Sequence, residues 1–491
     1  MSAPRVIVVG AGIGGLSAAL SLAARRFNVT VVERHGQPGG KMREIDVAGR
    51  AIDSGPTVFT MRWIFEALFR DAGLTLADHV TLHRAGLVAR HGWLDGSRLD
   101  LYSDVERSAA AVAQLAGERE ADAYRRFSRD SAAMFDTLDA SFMRAEKPSP
   151  FGLTRSLGLA GLPQLIATKP YVSLWRELGR RFTDPRLRQL FARYSTYCGS
   201  SPLRAPATLM LIAHAERAGV WYVDGGMQRL AEALSSAATL RGARFRFGSG
   251  VRRILVGDGR VRGVLTDTDE RLEADAVVFN GDVAALADGL LGDTARAAPR
   301  PRRPRGRSLS ALTLSMVARA GGFPLAHHTV FFGENYPDEF DAIFRRGEVT
   351  AVPTVYVCAQ DRGSGGSDGQ AERLFCLLNA PPGAMSAGRA DELESRLLDT
   401  LRRHGLNIDG IAGRVRTTPG DFGRHFPGTA GALYGTPTHG FNGSFARPGS
   451  RARIGGLYFA GGSVHPGPGV PMTAQSGRLA AASIARDLGF V

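Results

Sequence analysis

The chain has 491 residues, of which 44% are hydrophobic and 22% charged, so it is a folded protein with room for two or three domains and a large core. A net charge of +14 asks for an acidic partner, either nucleic acid or an anionic membrane face. All but three of the 61 basic side chains are arginines (the lysines are Lys41, Lys147 and Lys169), and no zinc spacing, basic zipper or RNA-binding signature accompanies them, which sets nucleic acid aside.

Residues 6–9 are an apolar β-branched run and predict a buried parallel strand. Gly10, Gly12 and Gly15 follow at once at the G-x-G-x-x-G spacing, with Gly14 between them, and residues 16–26 have the composition of a helix. Residues 28–32 predict a second strand, which ends at Glu33. The glycines allow a tight turn, close backbone approach to a pyrophosphate and close helix–strand packing, while the helix N-terminus offers N–H groups to the phosphates. A carboxylate at Glu33 can accept hydrogen bonds from a ribose diol, and it disfavours the 2′-phosphate of NADP. The same stretch could pass for a signal peptide or a membrane span, since residues 6–24 carry no charge. The glycines and the strand ending in an acid fit nucleotide binding better. Glu33 and Arg34 precede Gly39-Gly40-Lys41, and E-R-x-x-x-x-G-G-K resembles the signature of two-dinucleotide-binding-domain flavoproteins, which shifts the cofactor from NAD to FAD.

Residues 52–58 form a short strand entering a turn at Gly55-Pro56, where backbone could lie against a ring or simply reverse direction. A helix over 62–72, weak strands at 88–90 and 99–101, and a long helical stretch over 104–144 follow. Residues 151–181 change character: basic side chains alternate with Leu, Tyr and Trp among glycines and prolines. That pattern suits a membrane-interfacial segment or a core helix pair with solvated arginines. Asp184-Pro185 starts a further helix, to about residue 197. After a helix over 230–237, strands at 244–247, 251–256 (headed by Val251, a cofactor candidate), 261–266 and 276–279 suggest a return to the nucleotide domain. Residues 296–307 are a basic, Pro-rich surface loop facing lipid or solvent. Strands over 309–318, 349–359 and 373–378 suggest a second sheet, 363–370 a loop tip, and 387–404 a helix. Cys198, Cys358 and Cys376 are too few and too scattered for a disulfide framework or a zinc site, and no metal is expected.

A strand over 457–462 ends in Gly461-Gly462, and a rigid loop leads to an Ala-rich helix over 472–488. Val470 and Met472 stand at the N-terminus of that helix, where it could stabilise negative charge on a reduced flavin. The two ends of the chain would clamp one cofactor. His465 is the one titratable side chain in the loop; it is either the candidate base or a ring bonded to loop backbone.

These motifs are similar to those of the bacterial carotenoid (phytoene-desaturase-type) flavoproteins of the amine oxidase superfamily. The matching stretches are VIVVGAGIGGLSAALSLA, ERHGQPGGKM, DSGPTVFTM, GGMQRLAEAL, LYGTPTHG and AGGSVHPGPGVPM. Ser-Val-His-Pro-Gly-Pro-Gly-Val-Pro, YCGSSPLRAPATLMLIAHAE and DFGRHFPGTAGALYG look most like the 1-hydroxycarotenoid 3,4-desaturase branch. The expected fold is α/β with an α+β insert. A discontinuous Rossmann-like FAD-binding domain (1–80, 218–290 and 447–491) would carry a substrate domain of mixed sheet and helices (81–217 and 291–446).

The resemblance implies removal of two hydrogens from adjacent carbons of a polyene, with cationic charge spread along the conjugated chain, so that no strong base is needed. It implies a lipophilic carotenoid substrate reached from the membrane surface and an electron acceptor such as quinone or oxygen. The implied location is cytoplasmic, peripherally attached to the inner membrane. The resemblance leaves as alternatives a phytoene desaturase or carotenoid isomerase of the same family and, further off, an FAD amine oxidase or a non-redox lipid-binding protein of the GDP-dissociation-inhibitor type.

Overall fold

A computed structural model of the protein describes residues 3–158, 161–299, 306–362 and 370–490. Strand Arg5–Val9 buries its valines and isoleucine on both faces, as a strand inside a covered parallel sheet must. It pairs in parallel with Asn28–Val32 on one side and Ala276–Phe279 on the other. Arg244–Arg246 and Leu457–Phe459 complete a five-stranded, all-parallel sheet. Its strands thus come from three distant stretches of the chain.

Helix Ile13–Ala24 is buried almost all round because helices Gln228–Leu240 and Val470–Asp487 both pack against it. Gly477 permits that closeness: a Cβ there would lie 2.1 Å from the Gly14 carbonyl oxygen. The last helix of the chain is therefore fastened onto the first.

The second sheet has seven strands in the order Leu406–Thr417, Ser310–Gly322, Glu372–Ala380, Val355–Ala359, His328–Phe331, Leu87–Gly92, Arg98–Tyr102. Its pairs are antiparallel except His328–Phe331 with Leu87–Gly92. One face packs Leu312, Leu314 and Leu378 against Leu393, Leu397 and Leu401 of helix Ala387–Arg403. The other receives Val47 and Ile52 of the hairpin Glu44–Val47/Arg50–Asp53. A helical layer around Phe127, Phe182 and Phe191 closes the structure on the side of Glu118–Leu138.

The structure departs from expectation in instructive places. The helical stretch over 104–144 is two helices, Val105–Ala116 and Glu118–Leu138, because Gly117 sits at φ +89 between them, and the second runs into a π-helical turn at Asp139–Met143. Strand Leu406–Thr417 was not foreseen. It is an edge strand, mostly solvated and broken by glycines, so it carries no alternating apolar signal. The strand expected from residue 349 begins only at Val355, after Pro353, which has no N–H for a ladder. The segment over 151–181 forms three short helices, Pro150–Leu157, Leu162–Ala167 and Leu174–Arg181. Residues 300–305 of the basic loop and 363–369 of the loop tip lie outside the described residues.

Candidate functional site

The site is built where the C-terminal edge of the parallel sheet meets two helix N-termini. Gly10 turns the chain at φ +100, and Gly12 caps helix Ile13–Ala24 without a side chain of its own. Beneath the turn, Asn280 donates from Nδ2 to the Gly10 carbonyl at 3.1 Å. A Cβ at Gly12 or Gly15 would meet that Nδ2 at 2.9 Å, and one at Gly14 would meet Asn280 Oδ1 at 2.7 Å. The cradle thus has no room for side chains and presents backbone N–H groups to a ligand.

Glu33 is buried, and its carboxylate accepts from the Ala11 N–H at 2.6 Å and the His35 N–H at 2.9 Å, which binds the second strand to the glycine turn. The Gly39 N–H donates to the Ala11 carbonyl, and a Cβ at Gly40 would reach Gly12 Cα at 3.2 Å, so this loop folds back across the turn. Gly55 lies against the Lys41 carbonyl, 2.0 Å from where its Cβ would be.

The C-terminal half meets this cradle directly. A Cβ at Gly14 would also lie 2.7 Å from the Gly461 nitrogen, and the Gly461 N–H donates to Ser476 Oγ at 2.8 Å. Gly469, at φ +102, caps helix Val470–Asp487, whose first turn faces the same space. Arg447 is 4% exposed, and its guanidinium donates to the carbonyls of Gly462 (3.0 Å), Tyr434 (3.1 Å) and Thr436 (2.8 Å). It holds the loop after Leu433 to the glycines of the last strand.

These elements enclose a cavity of about 740 Å³, in the upper range for small-molecule sites. Gly10, Gly12, Glu33, Arg34, Gly40, Lys41, Gly55, Val251, Gly461, Gly462, Val470 and Met472 all line it; Gly14 and Gly15 stand behind it as packing positions. Lys41 donates from Nζ to the Leu433 carbonyl at 2.7 Å and sits 5.6 Å from the Phe426 ring centre. Burial lowers its pKa, and the Asp282 carboxylate opposes the shift.

Sequence reasoning missed Asn280 and Asp282, although the first positions after a parallel strand signalled both. It missed Arg447 too, a lone arginine that no local pattern marks.

His465 is placed differently from the candidate base. It is 2% exposed and does not line the cavity. Its Nε2 lies 2.9 Å from the Phe142 carbonyl, an acceptor only, so that nitrogen carries the proton. Burial pushes its pKa down to about 4. Its peptide bond to Pro466 is cis. The ring packs edge-on against Phe142 and acts as a loop brace.

The scattered cysteines also gain a neighbourhood the spacing did not show. Cys358 pairs across the sheet with His328, beside His327, with their ligand atoms within 4.8 Å of one another. His328 Nδ1 lies 2.7 Å from Tyr356 Oη, and burial raises the thiol pKa and lowers those of both rings.

Burial pushes His327, His439 and His465 down to about 4 and His91 to about 3. A histidine held neutral in the fold but free to charge when unfolded gives stability that is present above pH 6.5 and lost as pH falls towards 4. Asp53 and Glu339, pushed up by burial to about 6 and about 7, act oppositely: their contribution is full below their ordinary carboxylate values and lost as pH rises through 6 to 7. The histidines outnumber them, so melting temperature should fall between pH 6.5 and 4. His439→Gln should make that fall shallower. A melting temperature that climbs towards pH 4 would contradict this reading.

A glycine cradle that excludes side chains, an acid at the second strand and a second helix N-terminus facing the first define an FAD-binding oxidoreductase. The chain matches the flavin containing amine oxidoreductase family over residues 13–485. It is 50% identical over 491 residues to the hydroxyneurosporene desaturase of Rubrivivax gelatinosus, covering 99% of this chain and 94% of that protein. It is 44% identical over 488 residues to that of Cereibacter sphaeroides, covering 99% of this chain and 98% of that one. Among solved structures, a putrescine oxidase bound to putrescine superposes with a TM-score of 0.60 at 16% identity, over 98% of this chain and 99% of that one, a likeness of fold alone.

The chain belongs to the flavin-containing amine oxidoreductase family, among its carotenoid-desaturase-type flavoproteins. Its cofactor is FAD.

Proposed function

We propose that the protein desaturates an acyclic C40 polyene, inserting a double bond between C3 and C4 of a 1-hydroxycarotenoid. The observation that carries this is the wall of the cavity beyond the cradle, where Leu138, Phe142, Leu153, Leu165, Leu209 and Ile212 form an apolar lining suited to a hydrocarbon chain. The names of the relatives, hydroxyneurosporene desaturase at 50% identity and a 1-hydroxycarotenoid 3,4-desaturase of Flavobacterium sp. at 30%, point the same way.

FAD supplies the acceptor for a hydride equivalent. The second hydrogen would leave the adjacent carbon as a proton that passes to solvent, the electron pair of its C–H bond would become the second bond between the two carbons, and a quinone or oxygen would take the electrons onward. The chain's own residues position the polyene and exclude water. The cofactor is assigned to residues 1–80, 218–290 and 447–491, and the substrate path to 81–217 and 291–446. Incubation with 1-hydroxyneurosporene should give a product with one more conjugated double bond, at C3–C4. A product altered elsewhere, or conversion of phytoene alone, would overturn the assignment.

The substrate dissolves in lipid, and the cavity wall leads to a surface that suits lipid. Pro150, Leu153, Leu165 and Pro170 line the cavity, while Phe151 (77% exposed), Ile166 (52%) and Tyr171 (64%), on the same short helices and their connection, face outward. Arg155, Arg176 and Arg180 are exposed along the same segment, the arrangement expected of a one-sided contact with anionic headgroups. Among the described residues no helix is long and apolar enough to cross a membrane.

Burying a Phe or Ile side chain is worth about 1.5–3 kcal/mol. A Phe151→Ser/Ile166→Ser protein should therefore lose at least about tenfold in affinity for anionic liposomes while keeping its flavin. Unchanged co-sedimentation would remove this face from the account.

A further inference from the structure

Away from the cofactor motifs, the lining includes a group of buried polar side chains. Arg193 and Tyr197, on the 3₁₀ turn Arg193–Cys198, and Glu216, on helix Leu211–Ala218, all reach the cavity beside Leu209, Ile212 and Ala215. Tyr194 donates from its hydroxyl to Glu216 Oε2 at 2.9 Å, and Tyr197 donates to Glu216 Oε1. Arg193 places Nη2 3.6 Å from Glu216 Oε1 and Nη1 3.2 Å from the Tyr197 hydroxyl. The Arg193 and Glu216 side chains are only 13% and 6% exposed.

An ion pair this far from water is costly to bury, and removing it for apolar residues is often neutral or stabilising. Its presence in a wall that otherwise suits a hydrocarbon calls for a polar guest.

The group also lies near the cofactor cradle. Tyr197 and Tyr356 line the same cavity, burial pushes the Tyr356 phenol well above its usual range, and Tyr356 Oη lies 2.6 Å from Thr57 Oγ1. Thr57 lines the cavity two positions after Gly55, which packs on the backbone of Lys41.

We propose that Arg193, Tyr197 and Glu216 form the subsite that receives the tertiary hydroxyl of the polyene, an inference that rests on the function proposed above and deepens it. A hydroxyl offers one donor and two acceptor lone pairs. The Glu216 carboxylate accepts its O–H, and the Arg193 guanidinium donates to its oxygen. The hydroxyl sits on C1, and only C2 separates that carbon from C3. Capturing the hydroxyl here therefore fixes the C3–C4 bond in register beside the Thr57 segment. Arg193 Nε is buried without a hydrogen-bond partner, and a site whose buried donor is paired only by the substrate hydroxyl rejects the analogue lacking it strongly.

The test compares kcat/KM for 1-hydroxyneurosporene and for neurosporene in the FAD-loaded wild type, Tyr197→Phe and Glu216→Gln, with flavin content and melting temperature alongside. Wild type should favour the hydroxylated polyene, and both variants should lower that preference by about 10- to 1000-fold, chiefly through KM for the hydroxylated substrate. Tyr197→Phe keeps the ring and removes only the hydroxyl, so the test does not depend on Glu216→Gln folding. A wild type without the preference overturns the proposed function and this inference together. A wild-type preference that survives in both variants, or a loss shared equally by both polyenes, overturns this inference alone.

Discussion

Gly15→Ala protein should purify folded but with flavin reduced at least about tenfold per polypeptide. The added Cβ would lie 2.1 Å from the Gly10 carbonyl oxygen and 2.9 Å from Asn280 Nδ2, and the first of these is backbone that cannot swing aside. The turn must open, and overpacking of this kind costs about 1–3 kcal/mol, which a chain with this core can absorb. The N–H groups that the turn aims at a pyrophosphate cannot absorb the same displacement, and 1.4 kcal/mol is already a factor of about ten in affinity. Gly36→Ala is the control. It lies in the same cofactor segment, yet a Cβ there meets nothing within 4 Å, and it should retain flavin like wild type. Equal flavin in both variants would disprove the cradle.

Arg447→Met should be strongly destabilising. Three carbonyls from two chain segments lose a charged donor, and such bonds contribute about 1.5–3 kcal/mol each. After partial relaxation the loss should be on the order of 4 kcal/mol, in the range that marks a specific structural mechanism. The variant should melt several degrees lower and release flavin, because the loop after Leu433 loses its tether to Gly462. Arg447→Lys should not rescue it, since a single ammonium cannot reproduce the guanidinium fork. Arg486, with a 60% exposed side chain and an ion pair to Glu146, is the contrast: its removal should cost under about 1 kcal/mol. Comparable melting of the two variants would show that Arg447 holds nothing essential.

What could be read from the sequence was local chemistry. The strand, glycine turn, helix and terminal acid of the first βαβ unit were visible because each follows the last along the chain, and the closing glycines and helix were visible for the same reason. The contacts that turn those pieces into one site were not. Asn280 supports a glycine turn 270 positions away in sequence, and Arg447 joins two loops whose partners no spacing reveals. His465 lies inside a motif that invited a catalytic reading, yet which way a ring points depends on Phe142, 323 positions away in sequence. The Arg193–Glu216 group was hidden as well: Tyr197 and Glu216 stand at the two ends of the motif YCGSSPLRAPATLMLIAHAE, and only the fold brings them together with Arg193 and Tyr194. The basic and aromatic pattern over 151–181 left two readings open, and only the structure sets its exposed residues over the cavity wall.

Direct oxidation of a hydroxylated polyene at this FAD site is open to a single-turnover experiment. FAD-loaded protein is mixed with 1-hydroxyneurosporene under anaerobic conditions, and the flavin and polyene absorbances are followed together in a single turnover. The oxidised flavin band should be lost in step with a red shift of the polyene bands, one product formed per flavin reduced. A polyene spectrum that changes while the flavin stays oxidised, or a flavin and polyene that both remain unchanged, would contradict it.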